Sequence, residues 1–209
     1  MSVERNHIKV FVSSTVYDFE TDLRQIFATL DGFGYDVYMS KEGTIPLDSR
    51  LSNLINCVNG VEECDIFLGI VRPLIGSGVL EKNGRSITAQ EFDKAIELNI
   101  PRFILADYRV EFAHKFLKLM GMDLKSIPLN MEKENVRDDG KIEKKIKPNS
   151  VVHGECVEIY RLAIQDQIKS PMDRIGNWAQ PYKDSEDILR FVESQFKDVE
   201  RLKKMINGK

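Results

Sequence analysis

The sequence predicts an α/β fold, a doubly wound parallel sheet with helices on both faces, and three observations carry that expectation. Short β-branched runs alternate with stretches whose apolar residues recur every three or four positions, the order of right-handed βαβ units. One of those runs, Asp65 to Val71, is apolar almost throughout, as a strand covered on both faces must be. The composition is that of a globular domain: 209 residues, 42% hydrophobic and 30% charged, with 30 Lys and Arg against 33 Asp and Glu for a net charge of -3. A chain this long buries roughly 70% of its unfolded surface, enough for a core without disulfides or metals.

Ile8 to Ser13 reads as the first strand. Asp18 to Leu30 follows as a helix, with Phe19, Leu23, Ile26, Phe27 and Leu30 on one face and Gly32 and Gly34 ending it. Tyr35 to Met39 is the second strand, and Leu51, Leu54, Ile55 and Val58 mark the apolar face of the second helix. After the third strand, Asp65 to Val71, a loop with Gly76, Gly78 and Gly84 leads to a helix from Thr88 to Leu98 that turns Phe92, Ala95 and Ile96 inward. Arg102 to Ala106 is the fourth strand.

Beyond it, Glu111 to Met120 is read as helical, and Asp139-Gly140 between two β-prone pieces, Val136 and Ile142 at their ends, signals a hairpin. The basic run Lys141 to Lys147 alternates Ile with charge and reads as a solvated strand face, a polyanion contact being the other reading. A helix from Val151 to Ile168, a candidate fifth strand near Trp178 and a last helix from Ser185 to Ile206 complete the chain. That last helix carries Ile188, Phe191, Val192, Phe196, Val199, Leu202 and Met205 on one stripe, which either packs on the domain or supplies a dimer contact. The expected organisation is an α/β domain over 7–120, a loop or hairpin insertion over 121–150, and a helical part over 151–209 packing on the same domain.

Several functions fall away. No apolar run approaches the ~20 residues needed to cross a bilayer. The polar Met1 to His7 shows no h-region, so export is not expected. Cys57, Cys64 and Cys156 are odd in number without Cys-x-x-Cys spacing, and His7, His114 and His153 are scattered, so reduced, cytoplasmic thiols and no metal site are expected. The negative charge disfavours nucleic acid as a partner.

In such a sheet ligands bind along the edge formed by the strands' C-terminal ends, where strand order reverses. Ser13, Ser14 and Thr15, then Lys41 to Gly43, Arg72 to Ser77, Thr88 to Glu91 and Asp107 to Arg109 all belong to that rim. Its hydroxyls, free N–H groups and Arg72 suit a polar, partly anionic small molecule. Ser13 to Thr15 also suit the turn and cap of the following helix, and Arg72 a place on the surface. The glycines fit neither a P-loop nor G-x-G-x-x-G, so triphosphate hydrolysis has no support.

Glu91 admits two readings. Thr88-x-x-Glu91 is a capping box, in which Glu91 returns a hydrogen bond to the helix's first N–H. Alternatively its carboxylate, in the first turn and held ionised by the helix dipole, faces the crevice and stabilises positive charge developing on a bound sugar. Asp18 and Asp107 are candidates for a second carboxylate or for structural roles.

Three ordered motifs, Lys9-Val-Phe-Val-Ser-Ser-Thr-Val-Tyr-Asp18, Cys64-Asp-Ile-Phe-Leu-Gly-Ile-Val-Arg72 with Gly76-Ser77, and Ser86-Ile-Thr-Ala-Gln-Glu-Phe-Asp-Lys-Ala95, resemble a TIR-like domain family of unknown function that opens with F-V-S-S-T. The match covers about residues 7 to 110. This family resembles TIR domains and nucleoside deoxyribosyltransferases, which implies a flavodoxin-like sheet of about five strands in the order 2-1-3-4-5 with a helical C-terminal extension. It also implies that Glu91 acts on a ribosyl C1′–N bond and that Ser13, Ser14, Thr15, Asp18, Arg72, Gly76 and Ser77 bind substrate. The activity implied is cleavage of the nicotinamide–ribosyl bond of NAD, which is substrate and not cofactor, by a hydrolase or a cyclase making an ADP-ribose-type signal in antiphage defence. Two alternatives stand beside it: an N-glycosidase or deoxyribosyltransferase acting on other nucleosides or nucleotides, and a non-catalytic module that binds a nucleotide signal or a partner. The resemblance further implies a homo-oligomer or a partner effector protein. The chain departs from the family at Ile75, where an aromatic residue usually precedes the glycine of the third-strand loop.

Overall fold

A computed structural model describes residues 7–15, 18–75, 85–122 and 152–208, together with the backbone of 132–136 and 142–146. Five parallel strands form one sheet in the order β2-β1-β3-β4-β7: β1 Lys9–Ser14, β2 Asp36–Tyr38, β3 Ile66–Val71, β4 Arg102–Asp107 and β7 Ala179–Tyr182. This is the order 2-1-3-4-5 with β7 as the fifth strand, an α/β fold of flavodoxin type. The Trp178 segment does lead into a strand, paired to β4 from Ile104↔Ala179 to Asp107↔Tyr182.

The apolar run of β3 divides between two cores by the two-residue period of a strand. Ile66, Leu68 and Ile70 join Val10, Val12 and Leu105 on one face. The helices α1 (Glu20–Gly32), α6 (Ser185–Phe196) and α7 (Val199–Asn207) cover it with Leu23, Ile26, Leu30, Ile188, Val192, Phe196 and Leu202. Phe67 and Val71 join Phe11 on the other face, under α2 (Asn53–Glu62), α3 (Ile87–Glu97) and α5 (Gly154–Ala163). Gly69 is the close-approach point: a Cβ there would lie 2.4 Å from Phe92 Cζ, so only glycine lets α3 settle on the sheet.

Several expected boundaries move. Helix α1 begins two residues late, because Asp18 takes a left-handed φ of 54° and Phe19 stands at the N-cap. The second helix buries Asn56, Cys57, Gly60 and Val61, whereas Leu51 and Ile55 are exposed. Gly60 is responsible, since its bare Cα allows α2 to lie against Ile45 and the ring of Phe11. The helix expected from Val151 to Ile168 shrinks to α5, with Gln165 in a left-handed φ of 54° just beyond it.

The last helix is two. Asp198 interrupts it by accepting a hydrogen bond from Arg201 N and capping α7. Its apolar stripe is consumed within the chain, Ile188, Val192, Phe196 and Leu202 being buried. Between α4 (Tyr108–Leu119) and α5 the strands β5 (Glu132–Val136) and β6 (Ile142–Ile146) pair antiparallel as the hairpin signal requires, and the Asp139-Gly140 turn lies outside the described residues.

Candidate functional site

Strand order reverses between β1 and β3, because the chain goes from β1 outward to β2 and from β3 outward to β4. The crevice at that point is bounded by the end of β1, the end of β3 and the start of α3, and there the structure joins two residues far apart in sequence. Ser13 Oγ donates a 2.5 Å hydrogen bond to Glu91 Oε2. Both are buried, Ser13 to 1% exposure and Glu91 to 5%.

Neither reading of Glu91 from the sequence survives intact. The helix is capped by Ser86, whose hydroxyl accepts from Ala89 N at 3.2 Å, so Thr88 is its second residue and no Thr88–Glu91 capping box forms. Glu91 lies in the second turn, where the helix dipole no longer holds a carboxylate ionised. Burial governs instead: it pushes the Glu91 carboxyl from 4.5 up to about 7, with the Ser13 hydrogen bond and the nearby Cys57 thiol pulling the other way. No cationic side chain enters that balance among the described residues. A carboxyl titrating near neutrality inside a crevice is what acid–base or charge-stabilising chemistry requires.

The start of α3 is pinned from the C-terminal part of the chain. Glu155 Oε1, buried on the first turn of α5, accepts a 2.8 Å hydrogen bond from the backbone N–H of Ser86. His153 caps α5 through Nδ1, and its backbone N–H donates to Pro73 O at 2.7 Å, which ties α5 to the segment after β3 as well.

The other expected residues divide. Thr15 is buried, and its hydroxyl has no hydrogen-bond partner among the described residues. Arg72 is half-buried, donates to Thr15 O at 3.4 Å and lies 4.6 Å from the ring centre of Phe19. With Ser86, Thr88 and Cys156 these two line a cavity of about 10 Å³, room for one water molecule, whose walls include neither Ser13 nor Glu91. Ser14 falls on the opposite face of β1 from Ser13 and hydrogen-bonds Thr15 O. None of Ser13 to Thr15 caps α1, which has no side-chain cap. Asp18 is exposed at the turn before α1, and no contact joins it to Glu91. Gly76 and Ser77 lie outside the described residues.

Asp107 is structural: it caps α4 through Arg109 N and holds the Arg109 guanidinium by two bonds of 2.8 and 2.7 Å. Two rim residues escape a reading of the sequence. Cys57 belongs to α2, which packs on α3, and burial first and the nearby Glu91 carboxyl second push its thiol up to about 12; nothing in the spacing of three scattered cysteines signals that. Tyr182 ends β7 in register with Asp107, and burial and the Asp107 charge raise its phenol well above the usual range. Extending the Trp178 strand by parallel pairing would have found it. Among the described residues no group of three or more His, Cys, Asp or Glu could hold a metal ion, and no helix is long and apolar enough to cross a membrane.

A family model for a domain of unknown function, DUF4062, matches residues 9–118, from the start of β1 to the last turn of α4. The chain belongs to the DUF4062 family. The matched stretch contains Ser13, Cys57, Arg72 and Glu91, whereas β7 and the Glu155 anchor lie outside it. No curated protein matches this DUF4062 chain. It is also similar to a solved structure described as a conserved protein from Enterococcus faecalis V583, at 16% identity and a TM-score of 0.41, over 90% of this chain and 99% of that one.

Proposed function

We propose that this DUF4062 protein is a TIR-like NAD-processing enzyme that breaks the nicotinamide–ribosyl bond. The observation that supports this most is the Glu91 carboxyl, held by Ser13 at the switch point of a parallel sheet and titrating near neutrality. A buried, uncompensated carboxyl costs stability, and such a cost is characteristic of functional sites. The resemblance of the F-V-S-S-T, third-strand and Glu91 segments to the TIR-like group supplies the substrate class.

In the proposed reaction the C1′–N bond breaks with its electron pair leaving on the nicotinamide nitrogen. Positive charge develops on the ribosyl C1′ and ring oxygen, and ionised Glu91 stabilises it at close range in a water-poor site. Water then adds at C1′ and loses a proton, giving ADP-ribose; attack by a second group of the same molecule gives a cyclic product. Ser13 orients Glu91, and Thr15 and Arg72 offer donors to ribose and phosphate oxygens. The rim must open to admit NAD, since Glu91 is buried and the neighbouring cavity lined by Thr15 and Arg72 holds one water.

That closed cavity is also the observation favouring the second reading, a non-catalytic module for a nucleotide signal or a partner. Incubating the protein with NAD and resolving the products separates the two. Nicotinamide release that disappears in Glu91→Gln supports the enzyme, and binding without turnover supports the module.

A further inference from the structure

The carboxyl that holds the start of α3 comes from α5. Glu155, 2% exposed, accepts a 2.8 Å hydrogen bond at Oε1 from the backbone N–H of Ser86. Ser86 in turn builds the first turn of α3: its hydroxyl accepts from Ala89 N at 3.2 Å and its carbonyl from Gln90 N at 3.2 Å, and Glu91 is the next residue. Glu155 is itself fixed, since its backbone N–H donates to His153 Nδ1 at 3.2 Å and the His153 N–H donates to Pro73 O. Just beyond Glu91, Phe92 stands against Gly69 and Phe67 of β3. The helix is thus held on either side of Glu91, by the sheet at Phe92 and by α5 at Ser86. An O–H···O bond spans only about 2.5 to 3.0 Å, so the Ser13–Glu91 contact leaves α3 little freedom to move.

We propose that Glu155 is a positioning residue for Glu91: by drawing the Ser86 N–H onto α5 it sets the first turn of α3 and keeps the Glu91 carboxyl within reach of Ser13. This rests on the role given to Glu91 above. Glu155 touches no reacting atom and transfers no proton. It lies outside residues 9–118, so a site whose Ser13 and Glu91 fall inside the matched stretch is completed by the C-terminal part of the chain. Reach, not charge, is what the position needs. Glu155→Asp keeps the charge and withdraws the carboxylate by one methylene, whereas Glu155→Gln keeps the reach and removes the charge.

The test is the pKa of the Glu91 carboxyl, followed by carbon NMR on protein labelled at the glutamate carboxyl carbons and assigned with Glu91→Gln. Glu155→Asp is expected to raise it by about half a unit to one unit, because a weakened Ser13 bond disfavours the ionised form. Glu155→Gln is expected to leave it at or below that of the wild type, since deleting a nearby negative charge lowers it. For nicotinamide release, kcat is expected to fall by about 10- to 100-fold in Glu155→Asp with KM within about twofold, and to stay within about threefold of the wild type in Glu155→Gln. A Glu91 pKa unmoved in folded Glu155→Asp overturns the proposal, because a residue that only stabilises the fold changes the melting temperature and not that titration. Amide hydrogen exchange of the wild type tests the bond without any substitution: the Ser86 N–H is expected to exchange as slowly as the amides of β3, and fast exchange overturns the proposal too. A shifted pKa in a protein whose wild type releases no nicotinamide upholds the link from Glu155 to Glu91 and refutes NAD cleavage, so the two failures are distinct.

Discussion

Ser13 Oγ donates to Glu91 Oε2 at 2.5 Å across 78 positions of sequence, and this bond joins the last turn-ward residues of β1 to the second turn of α3. It spans the one place in the sheet where strand order reverses. The hydroxyl favours the ionised carboxyl and burial opposes it, so the pair sets the pH at which Glu91 carries charge.

Glu91→Gln trades activity for stability. Because the folded-state pKa of about 7 lies above the ordinary 4.5, the carboxyl's contribution to stability is fully present below about pH 4.5 and is lost as pH rises through 7. At pH 8 the buried charge costs on the order of 3 kcal/mol. The variant should therefore melt higher than the wild type at pH 8 and lose that advantage toward pH 5, while NAD cleavage drops by roughly 10²- to 10³-fold. Equal melting temperatures at both pH values would remove the buried carboxylate from this picture.

Ser13→Ala deletes the hydroxyl that donates to the Glu91 carboxyl. A hydrogen bond to a charged group contributes about 1.5–3 kcal/mol, so the pKa of Glu91 should rise by about one to two units. If ionised Glu91 is the working form, the acid limb of kcat/KM moves to higher pH by the same amount. An unmoved limb, in a variant that folds, would mean that the 2.5 Å bond has no part in activity.

Gly69→Ala probes how α3 is seated. The new Cβ would meet Phe92 Cζ at 2.4 Å and Phe67 Cε1 at 2.8 Å, both in the buried edge-to-face pair that joins α3 to β3. Overpacking of this kind costs about 1–3 kcal/mol or more. Urea unfolding should show that loss, and activity should fall with it because Phe92 adjoins Glu91. A fully stable variant would contradict the packing described for this face.

Arg72→Gln tests the rim. The guanidinium spans Thr15 O and the Phe19 ring. If it meets substrate phosphate, KM for NAD rises by about tenfold or more and kcat changes little, since phosphate binding is shared by ground and transition states. A fall in kcat at constant KM would instead assign Arg72 to the reacting end.

The sheet was legible because its signals are local. An unbroken apolar run from Ile66 to Val71 means a strand covered twice, and the motif around Glu91 falls on the helix that follows it. Helix faces were less so: Leu51 and Ile55 obey the apolar period, yet the small residues Cys57 and Gly60 turn inward, because close approach to Phe11 decides which face packs. The capping assignment failed by two residues, since Ser86 and Thr88 both suit a helix start and only the Glu155 anchor, 69 positions away, favours Ser86. Cys57 was invisible as a site residue because its place beside Glu91 comes from the packing of two helices.

The most direct test of the central claim is nicotinamide release from NAD by purified protein and by Glu91→Gln, resolved by chromatography with mass detection between pH 5 and 9. NAD cleavage through ionised Glu91 predicts nicotinamide with ADP-ribose or a cyclic form, an activity rising through about pH 7 to a plateau, and its loss in the variant. No turnover at any pH, or equal turnover by Glu91→Gln, would contradict it.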